Sequence, residues 1–399
     1  MPAALFTSVF PVKSLVMFAR KLVPPEASFF LLGARGTGKT TWINAHFRDS
    51  PRYDLLLAAE SLRLNRDPGI LRAECLALPD GAWIVIDEVQ RAPAVLDEVQ
   101  HLMAHKRQRF VLSGSSARKL RRSGANLLAG RAEMRNMFPL VSAETGFDRD
   151  LDDILARGML PLAVTGKRPA AFLRSYCEVY LQEEVQAEAL VRQIGPFHRF
   201  LEVAARMNGQ TVNVAGIARD AAIARQTAND FFQILVDTLL ATWLPAWKLK
   251  RAVKQVAHPK FFLFDTGVAR QLAGAAHLDL HPEERGVLLE TFLLHELRAW
   301  LHYSDLEYPI AYWGAHGGAE VDFVIETKSG LMAIEVKSGN RWDSRFGAGI
   351  RSLRERAPKG RVQGLGVYTG PRALVADDIR VLPWREFLEQ LWSGDLIRS

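Results

Sequence analysis

The stretch 29–41, FFLLGARGTGKTT, restricts the fold of this chain more than any other. Its apolar run Phe29-Phe30-Leu31-Leu32 predicts a short buried strand. The run passes directly into Gly33-Ala34-Arg35-Gly36-Thr37-Gly38-Lys39-Thr40, which fits Gly-x-x-x-x-Gly-Lys-Thr. Glycines at 33, 36 and 38 let the backbone curl until its N–H groups converge on a phosphate. Lys39 supplies a point charge for the β- and γ-phosphates, and the Thr40 hydroxyl a ligand for Mg²⁺. Thr41 and Trp42-Ile43-Asn44-Ala45 predict a helix whose positive dipole end faces the same place. The whole loop, from Gly33 through Ala34, Arg35, Gly36, Thr37, Gly38, Lys39 and Thr40 to Thr41, is the expected ATP-binding segment.

Ala82-Trp83-Ile84-Val85-Ile86-Asp87-Glu88 has the pattern of a Walker B strand, an apolar body ending in two carboxylates. Such a body belongs in the middle of a parallel sheet. Its carboxyl end emerges where ligands bind in open α/β sheets. Asp87 is expected to hold Mg²⁺ and Glu88 to orient and deprotonate the attacking water. A further apolar strand is predicted over 109–116, ending in small polar residues. Ser113 stands there either as a polar sensor beside the γ-phosphate or as an ordinary strand-end serine. Basic residues follow at Arg118, Lys119, Arg121 and Arg122, then NLLAGR at 126–131. Arg131 is the expected arginine finger, acting in cis or toward a neighbouring copy in a homo-oligomer; such a residue is worth about 10³–10⁵ in rate. A solvated basic face or a DNA contact is the alternative for each of these arginines.

The 399 residues suggest two or three domains. With 48% hydrophobic and 24% charged residues, ordinary globular cores are expected. Cys75 and Cys177 lack partner spacing, so buried free thiols are expected rather than a disulfide framework or a zinc site. Residues 1–23 are apolar, but Lys13 interrupts them and no charged leader precedes, which predicts neither signal peptide nor membrane span. A cytoplasmic protein without membrane contact is the expectation. The net charge of +7 permits an acidic partner such as DNA.

With these motifs in place, the chain resembles the prokaryotic AAA-type ATP-binding proteins that carry a domain of unknown function behind the P-loop module. The resemblance rests on LLGARGTGKTT at 31–41, IVIDEVQRAP at 84–93, FVLSGSSARKL at 110–120 and NLLAGRAEMRNMFPL at 126–140. It continues in YLQEEVQAEALVR at 180–192, KFFLFDTGVARQL at 260–272 and AEVDFVIE at 319–326. It covers nearly the whole chain and implies an ATPase core using ATP and Mg²⁺, but no substrate.

The local pattern predicts a lead-in helix at 16–22, a strand at 53–58, a helix at 62–78 and a helix at 95–105. The acidic and Pro/Gly-rich stretch 144–169 marks the end of the ATPase domain, giving expected domains at 1–165, 166–265 and 266–399. A long bridging helix is predicted over 172–192. Residues 198–243 have the rhythm of a winged helix, with helices at 200–207, 214–222 and 225–240; the third helix of such modules usually enters a DNA groove. From 238 to 264 there is no acidic residue. Arg225 on the third helix and Lys248, Lys250, Arg251 and Lys254 in the wing are the expected nucleic-acid contacts. Packing against the rest of the chain is the alternative use of such a module.

The last third reads as helix (282–302), three strands (308–313, 320–325, 331–337), helix (345–356) and strand (363–368). Alternate residues of a strand face the same way, so Glu335 and Lys337 share a face that Asp322 can join. With Glu290 from the preceding helix, Asp322 and Glu335 make an expected Mg²⁺ site, and Lys337 a water-activating or leaving-group-stabilising amine. This arrangement resembles the PD-(D/E)xK nuclease fold, with Val321 where the pattern has Pro. The expected fold class is therefore α/β: an AAA-type P-loop parallel sheet, a winged-helix middle domain and a PD-(D/E)xK-like mixed α/β C-terminal domain. The expected function is ATP-dependent action on DNA, branched or single-stranded DNA included, with a Mg²⁺-dependent endonuclease step. A nucleotide-driven switch, whose inactive nuclease-like domain binds a partner, is the other reading.

Overall fold

A computed structural model describes residues 18–115, 127–180, 194–248, 258–315, 318–358 and 360–397. The first sheet is parallel and carries β1 (Phe29–Leu32), β2 (Arg52–Asp54), β3 (Trp83–Asp87), β4 (Arg109–Gly114) and β5 (Glu133–Asn136), in the order β2-β3-β4-β1-β5. The bodies of its inner strands are apolar because helices cover both faces, with polar residues only at the strand ends. Residues such as Phe30, Ile86 and Leu112 pack on one side, and Phe29, Val85 and Val111 on the other.

Several local expectations change. Residues 18–22 form no helix. Arg20 instead sends its guanidinium to the carbonyls of Thr37 (2.6 Å) and Phe138 (2.7 Å) and to the Glu144 carboxylate (2.9 Å). The strand expected at 53–58 is only Arg52–Asp54, and Ala58 already opens a helix. The helix expected at 62–78 is two helices, Ala58–Arg66 and Gly69–Leu76, broken at Asp67-Pro68 because proline disfavours helical backbone in the residue before it. Of the bridging helix only Pro169–Ser175, continued as a π-turn Tyr176–Tyr180, is described; 181–193 lie outside the described residues. The stretch 144–169 holds two short helices, Leu151–Arg157 and Pro161–Thr165, which its acidic composition concealed.

The middle region runs helix Ile194–Arg206, β6 (Gln210–Thr211), helix Val214–Asp220, helix Arg225–Asp237, β7 (Ala241–Leu244) and β8 (Lys260–Leu263), with an antiparallel sheet in the order β6-β8-β7. The rings of Phe197, Phe200, Phe231, Phe232 and Phe261 pack edge to face at its centre. The C-terminal sheet orders its strands β13-β14-β12-β11-β10-β9. Here β9 is Ile310–Gly314, β10 Glu320–Thr327, β11 Gly330–Lys337, β12 Val362–Tyr368, β13 Leu374–Ala376 and β14 Ile379–Pro383. Helix Ala348–Arg356 connects β11 to β12, which pair in parallel, while β9, β10 and β11 are antiparallel. Cys75 and Cys177 are buried free thiols.

One hydrophobic core runs from Ala34, in the loop 33–41, to Ile397, joining the three regions. Its axis is the helix Pro282–Tyr303. Glu296 on that helix is fully buried. It accepts hydrogen bonds from the Ser142 N–H and hydroxyl, each at 2.7 Å, and from Trp392 Nε1 at 2.7 Å. Burial pushes its carboxyl up to about 7, against the pull of these donors. A carboxyl raised on folding adds stability that is complete below its ordinary value and is lost as pH rises through about 7. In paired denaturant titrations at about pH 5 and about pH 8, Glu296→Gln should lose less stability than the parent across that interval. Equal losses would contradict the assignment.

Candidate functional site

Two clusters of polar side chains stand out: the carboxyl edge of the first sheet and the top of the β10–β11 pair.

At the first, β1 ends and the backbone turns through positive φ at Gly36 (81°) and Gly38 (98°), where a side chain would be strained. Helix Lys39–His46 starts immediately after. Lys39 is buried and its ammonium donates to the carbonyls of Gly33 (2.6 Å) and Ala34 (3.3 Å). Thr40 and Thr41 are exposed at the first turn of the helix. Two strands away, Asp87 closes β3 and is buried. The Ser113 hydroxyl at the end of β4 donates to the Asp87 carboxylate, and the Glu88 N–H donates to Ser113 Oγ at 3.3 Å. Glu88 itself adopts left-handed backbone, φ 57°, which non-glycine residues hold only where the surroundings impose it. Gln90 donates to the Glu88 carboxylate and, at 3.4 Å, to Ser115 Oγ. Gln90 and Arg20 belong to this site; Gln90 falls within IVIDEVQRAP without a role being read from it, and Arg20 has no motif to announce it. Arg131, by contrast, is exposed after the short turn Leu127–Gly130. The loop is also touched from the middle region: the Tyr176 hydroxyl donates to the Arg35 carbonyl at 2.9 Å.

At the second cluster, the pairing of Phe323 with Ile334 puts Asp322 and Glu335 at one level of neighbouring strands. Against β9 the register of β10 slips between Val321 and Val324. A bulge of this kind re-aims the side chains beside it. Asp322 is buried and accepts the Val336 N–H at 2.7 Å. Lys337 Nζ donates to Glu335 at 2.5 Å, while Glu335 Oε2 is buried without a hydrogen-bond partner. Burial first, and the neighbouring Asp322 second, push the Glu335 carboxyl up to about 8. The same two causes raise Glu290 well above the carboxylate range. Asp322 is raised by burial, against the opposing pull of Lys337 and Lys260. Among the described residues no three His, Cys, Asp or Glu side chains are grouped as a ready metal site. Two ammonium groups stand among the carboxylates instead. One, Lys337, is expected from the sequence; the other, Lys260, belongs to β8 and pairs with Glu320 and Glu290. Sequence spacing alone does not bring a residue of the middle sheet to this cluster.

In the middle region, the outer face of helix Arg225–Asp237 exposes Arg225, Gln226, Asn229, Asp230 and Gln233. Gln226 donates to Asp230 and Gln233 to Asp237. Lys248 is exposed. Lys250, Arg251 and Lys254 lie outside the described residues.

Residues 26–146 match the family model described as an AAA domain. This AAA domain is the parallel sheet with the loop 33–41 at its carboxyl edge. Residues 148–279 match a domain of unknown function, DUF8612, and residues 285–387 another, DUF4143. Proteins of Mycobacterium tuberculosis and Mycobacterium bovis, both described as uncharacterized, are each 27% identical over 317 residues, covering 77% of this chain and 69% of their own. Among solved structures, the Aeropyrum pernix ORC1 protein in complex with DNA overlaps 63% of this chain and 86% of its own, at 12% identity and a TM-score of 0.29. Protein VC1899 of Vibrio cholerae overlaps 92% and 96%, at 10% identity and a TM-score of 0.22. Overlaps this slight assign no fold. No helix among the described residues is long and apolar enough to cross a membrane.

The backbone under the second cluster is packed without slack. Gly349, in the helix after β11, lies flat against β10: a Cβ there would stand 1.8 Å from the Glu320 carbonyl oxygen. The oxygen is backbone and the place of a Cβ is fixed by its own Cα, so neither can swing aside. Gly349→Ala should cost about 1–3 kcal/mol of stability by overpacking, read from chemical denaturation. An unchanged midpoint would contradict the close approach.

Proposed function

We propose that this protein binds and hydrolyses ATP at the loop 33–41 and uses the cycle to act on DNA, with a Mg²⁺-dependent cleavage step at the Asp322 cluster. The observation that carries the ATPase reading is the convergence of Lys39, Asp87, Glu88 and Ser113 on one edge of the parallel sheet. The residues fit a nucleotide. Lys39 already satisfies its ammonium on loop carbonyls, and phosphate oxygens can take over those bonds without the backbone changing course. Backbone N–H groups of residues 36–41 and the start of helix Lys39–His46 favour the same charge. Thr40 and Asp87 would hold Mg²⁺, which neutralises phosphate charge when bound. Ser113 fixes the Asp87 carboxylate and the Glu88 N–H together, so Glu88 is held next to the metal ligand and free to accept a proton from water. Gln90, bonded to that carboxylate, sets its rotamer.

The second half of the proposal rests on Glu335 Oε2. A buried carboxylate oxygen without a donor costs on the order of several kcal/mol of desolvation unless a proton or a cation meets it. A divalent ion would be held by Asp322 and Glu335, with Glu290 near, and would supply Lewis-acid activation of a phosphodiester. Mg²⁺ favours one or two protein carboxylates together with water and phosphate oxygens, which suits a site receiving a DNA backbone. Lys337 would place its ammonium beside the attacking water or the leaving oxygen. The order helix, three strands, helix, strand that presents these residues supports a nuclease-like reading of residues 282–368. The order helix, strand, two helices and two strands over 194–263 supports a winged-helix reading of the middle region. Lys248 and the basic wing after it would meet phosphate, and Arg225 the groove.

Lys39→Ala should abolish tight ATP binding, and Glu88→Gln should keep binding while turnover falls about 10²–10⁴-fold, the usual worth of a general base. Parental turnover in Glu88→Gln would remove the base assignment. Replacing Lys248, Lys250 and Arg251 with Ala should weaken DNA affinity for all sequences alike. For every phosphate deprived of its cationic partner, the slope of log K against log[salt] should fall by about one unit. An unchanged slope would take DNA binding away from the wing.

A further inference from the structure

Lys260 opens β8 in the middle sheet, yet its ammonium stands in the acidic cluster of the C-terminal sheet. Its side chain is only 9% exposed. The ammonium pairs with the Glu320 carboxylate, lies 3.8 Å from Glu290 and sits 5.3 Å from the centre of the Tyr312 ring. Its strand neighbours Phe261, Phe262 and Leu263 are buried, so the backbone that presents it is anchored. A buried ammonium costs several kcal/mol to desolvate. Here that cost is offset by its contacts with the Glu320 and Glu290 carboxylates. The same carboxylates cannot serve two cations at once. Mg²⁺ needs its oxygens at about 2.0–2.1 Å in an octahedron, whereas an ammonium seated among them keeps them apart.

We propose that Lys260 is an internal counter-ion, seated on Glu320, that competes with a divalent cation for Glu290 at the edge of the Asp322 cluster, so that metal enters the cluster only as the Lys260 side chain withdraws. This rests on the metal reading of the Asp322 cluster given above. It makes the cluster a gated site: a cation from the middle region closes it, and whatever draws the Lys260 side chain away from Glu320 and Glu290 opens it. A plain structural ion pair makes a different demand, namely that loss of Lys260 weakens the fold without improving metal binding.

The test is a Mn²⁺ titration followed by electron paramagnetic resonance on the full chain. The proteins compared are the parent, Lys260→Met, Lys260→Gln, Lys260→Arg and Asp322→Ala. The Mn²⁺ site that Asp322→Ala removes should tighten about tenfold or more in Lys260→Met and Lys260→Gln, as expected for deleting a unit charge a few ångströms from the metal. Lys260→Arg should stay within a few-fold of the parent. A second measurement needs no substitution: saturating Mn²⁺ should increase acetylation of Lys260 by acetic anhydride in the parent, read by mass spectrometry. Met and Gln variants that bind Mn²⁺ no more tightly than the parent, or labelling that Mn²⁺ leaves unchanged, would overturn the proposal. If none of the proteins has a Mn²⁺ site sensitive to Asp322→Ala, the metal reading falls and the gate falls with it.

Discussion

Buried polar groups must find partners, and the helix Pro282–Tyr303 is placed by that requirement. It offers the AAA domain four hydrogen-bonding side chains, in two adjacent pairs two turns apart. His295 Nε2 meets the Leu140 carbonyl at 2.9 Å, and Glu296 takes the Ser142 N–H and hydroxyl. His302 Nε2 accepts the Asn136 N–H at 2.7 Å, and the Tyr303 hydroxyl accepts that of Phe138 at 3.1 Å. Burial keeps both histidines at about 4, so they stay neutral and no charge enters this seam from them. The segment 136–142 that receives these bonds leaves β5 beside the nucleotide loop: Met137 N–H bonds the Leu32 carbonyl at 2.6 Å, and a Cβ on Gly33 would stand 2.5 Å from the Met137 oxygen. The floor of the loop, the edge strand of the AAA sheet and the long C-terminal helix therefore form one packed block. The same helix carries Glu290 to the acidic cluster at its other end.

Much of this is legible in the sequence for physical reasons. Motifs whose chemistry requires consecutive residues can be read directly: the glycine spacing of 33–38 and the apolar run ending at Asp87 do their work within one element. The alternation that places Glu335 and Lys337 on one face is equally local. What escapes depends on partners far away in the chain. Arg20 reads as helical because its neighbours are apolar, yet its guanidinium is consumed by Thr37, Phe138 and Glu144. Gln90 gains its place only when β3 and β4 pair. β5 is short and polar enough to hide, although its pairing with β1 over Glu133–Asn136 completes the sheet. Lys260 resembles an ordinary wing lysine until its side chain is seen to reach Glu320 and Glu290. Pro68, on the other hand, is an available signal for the break between Ala58–Arg66 and Gly69–Leu76.

The two clusters share a principle and differ in its execution. At the AAA edge, one serine ties a buried carboxylate to the neighbouring backbone, so Asp87 is held by neutral hydrogen bonds. At the β10–β11 edge, carboxylates are held by lysines, and the pull of Asp322 and Glu335 on Lys337 keeps its proton secure despite burial. A site held by neutral donors keeps its negative charge for an incoming cation. A site held by ammonium groups has already spent part of that charge, and its state depends on where those groups are. The bulge at Asp322 and the flat approach of Gly349 to Glu320 fix the backbone of the second site, leaving the lysine side chains as its movable parts.

The proposed union of an ATP-using AAA domain with a metal-dependent site that cuts DNA stands or falls on one cleavage assay. The protein is incubated with Mg²⁺, with and without ATP, on a panel of branched, flapped, single-stranded and duplex DNAs, beside Asp322→Ala. The parent should cut at least one member of the panel, and Asp322→Ala should cut none while hydrolysing ATP at close to the parental rate. A parent that cuts nothing with Mg²⁺ or Mn²⁺, or an Asp322→Ala protein that cuts as well as the parent, would contradict this and leave the C-terminal region as a binding module.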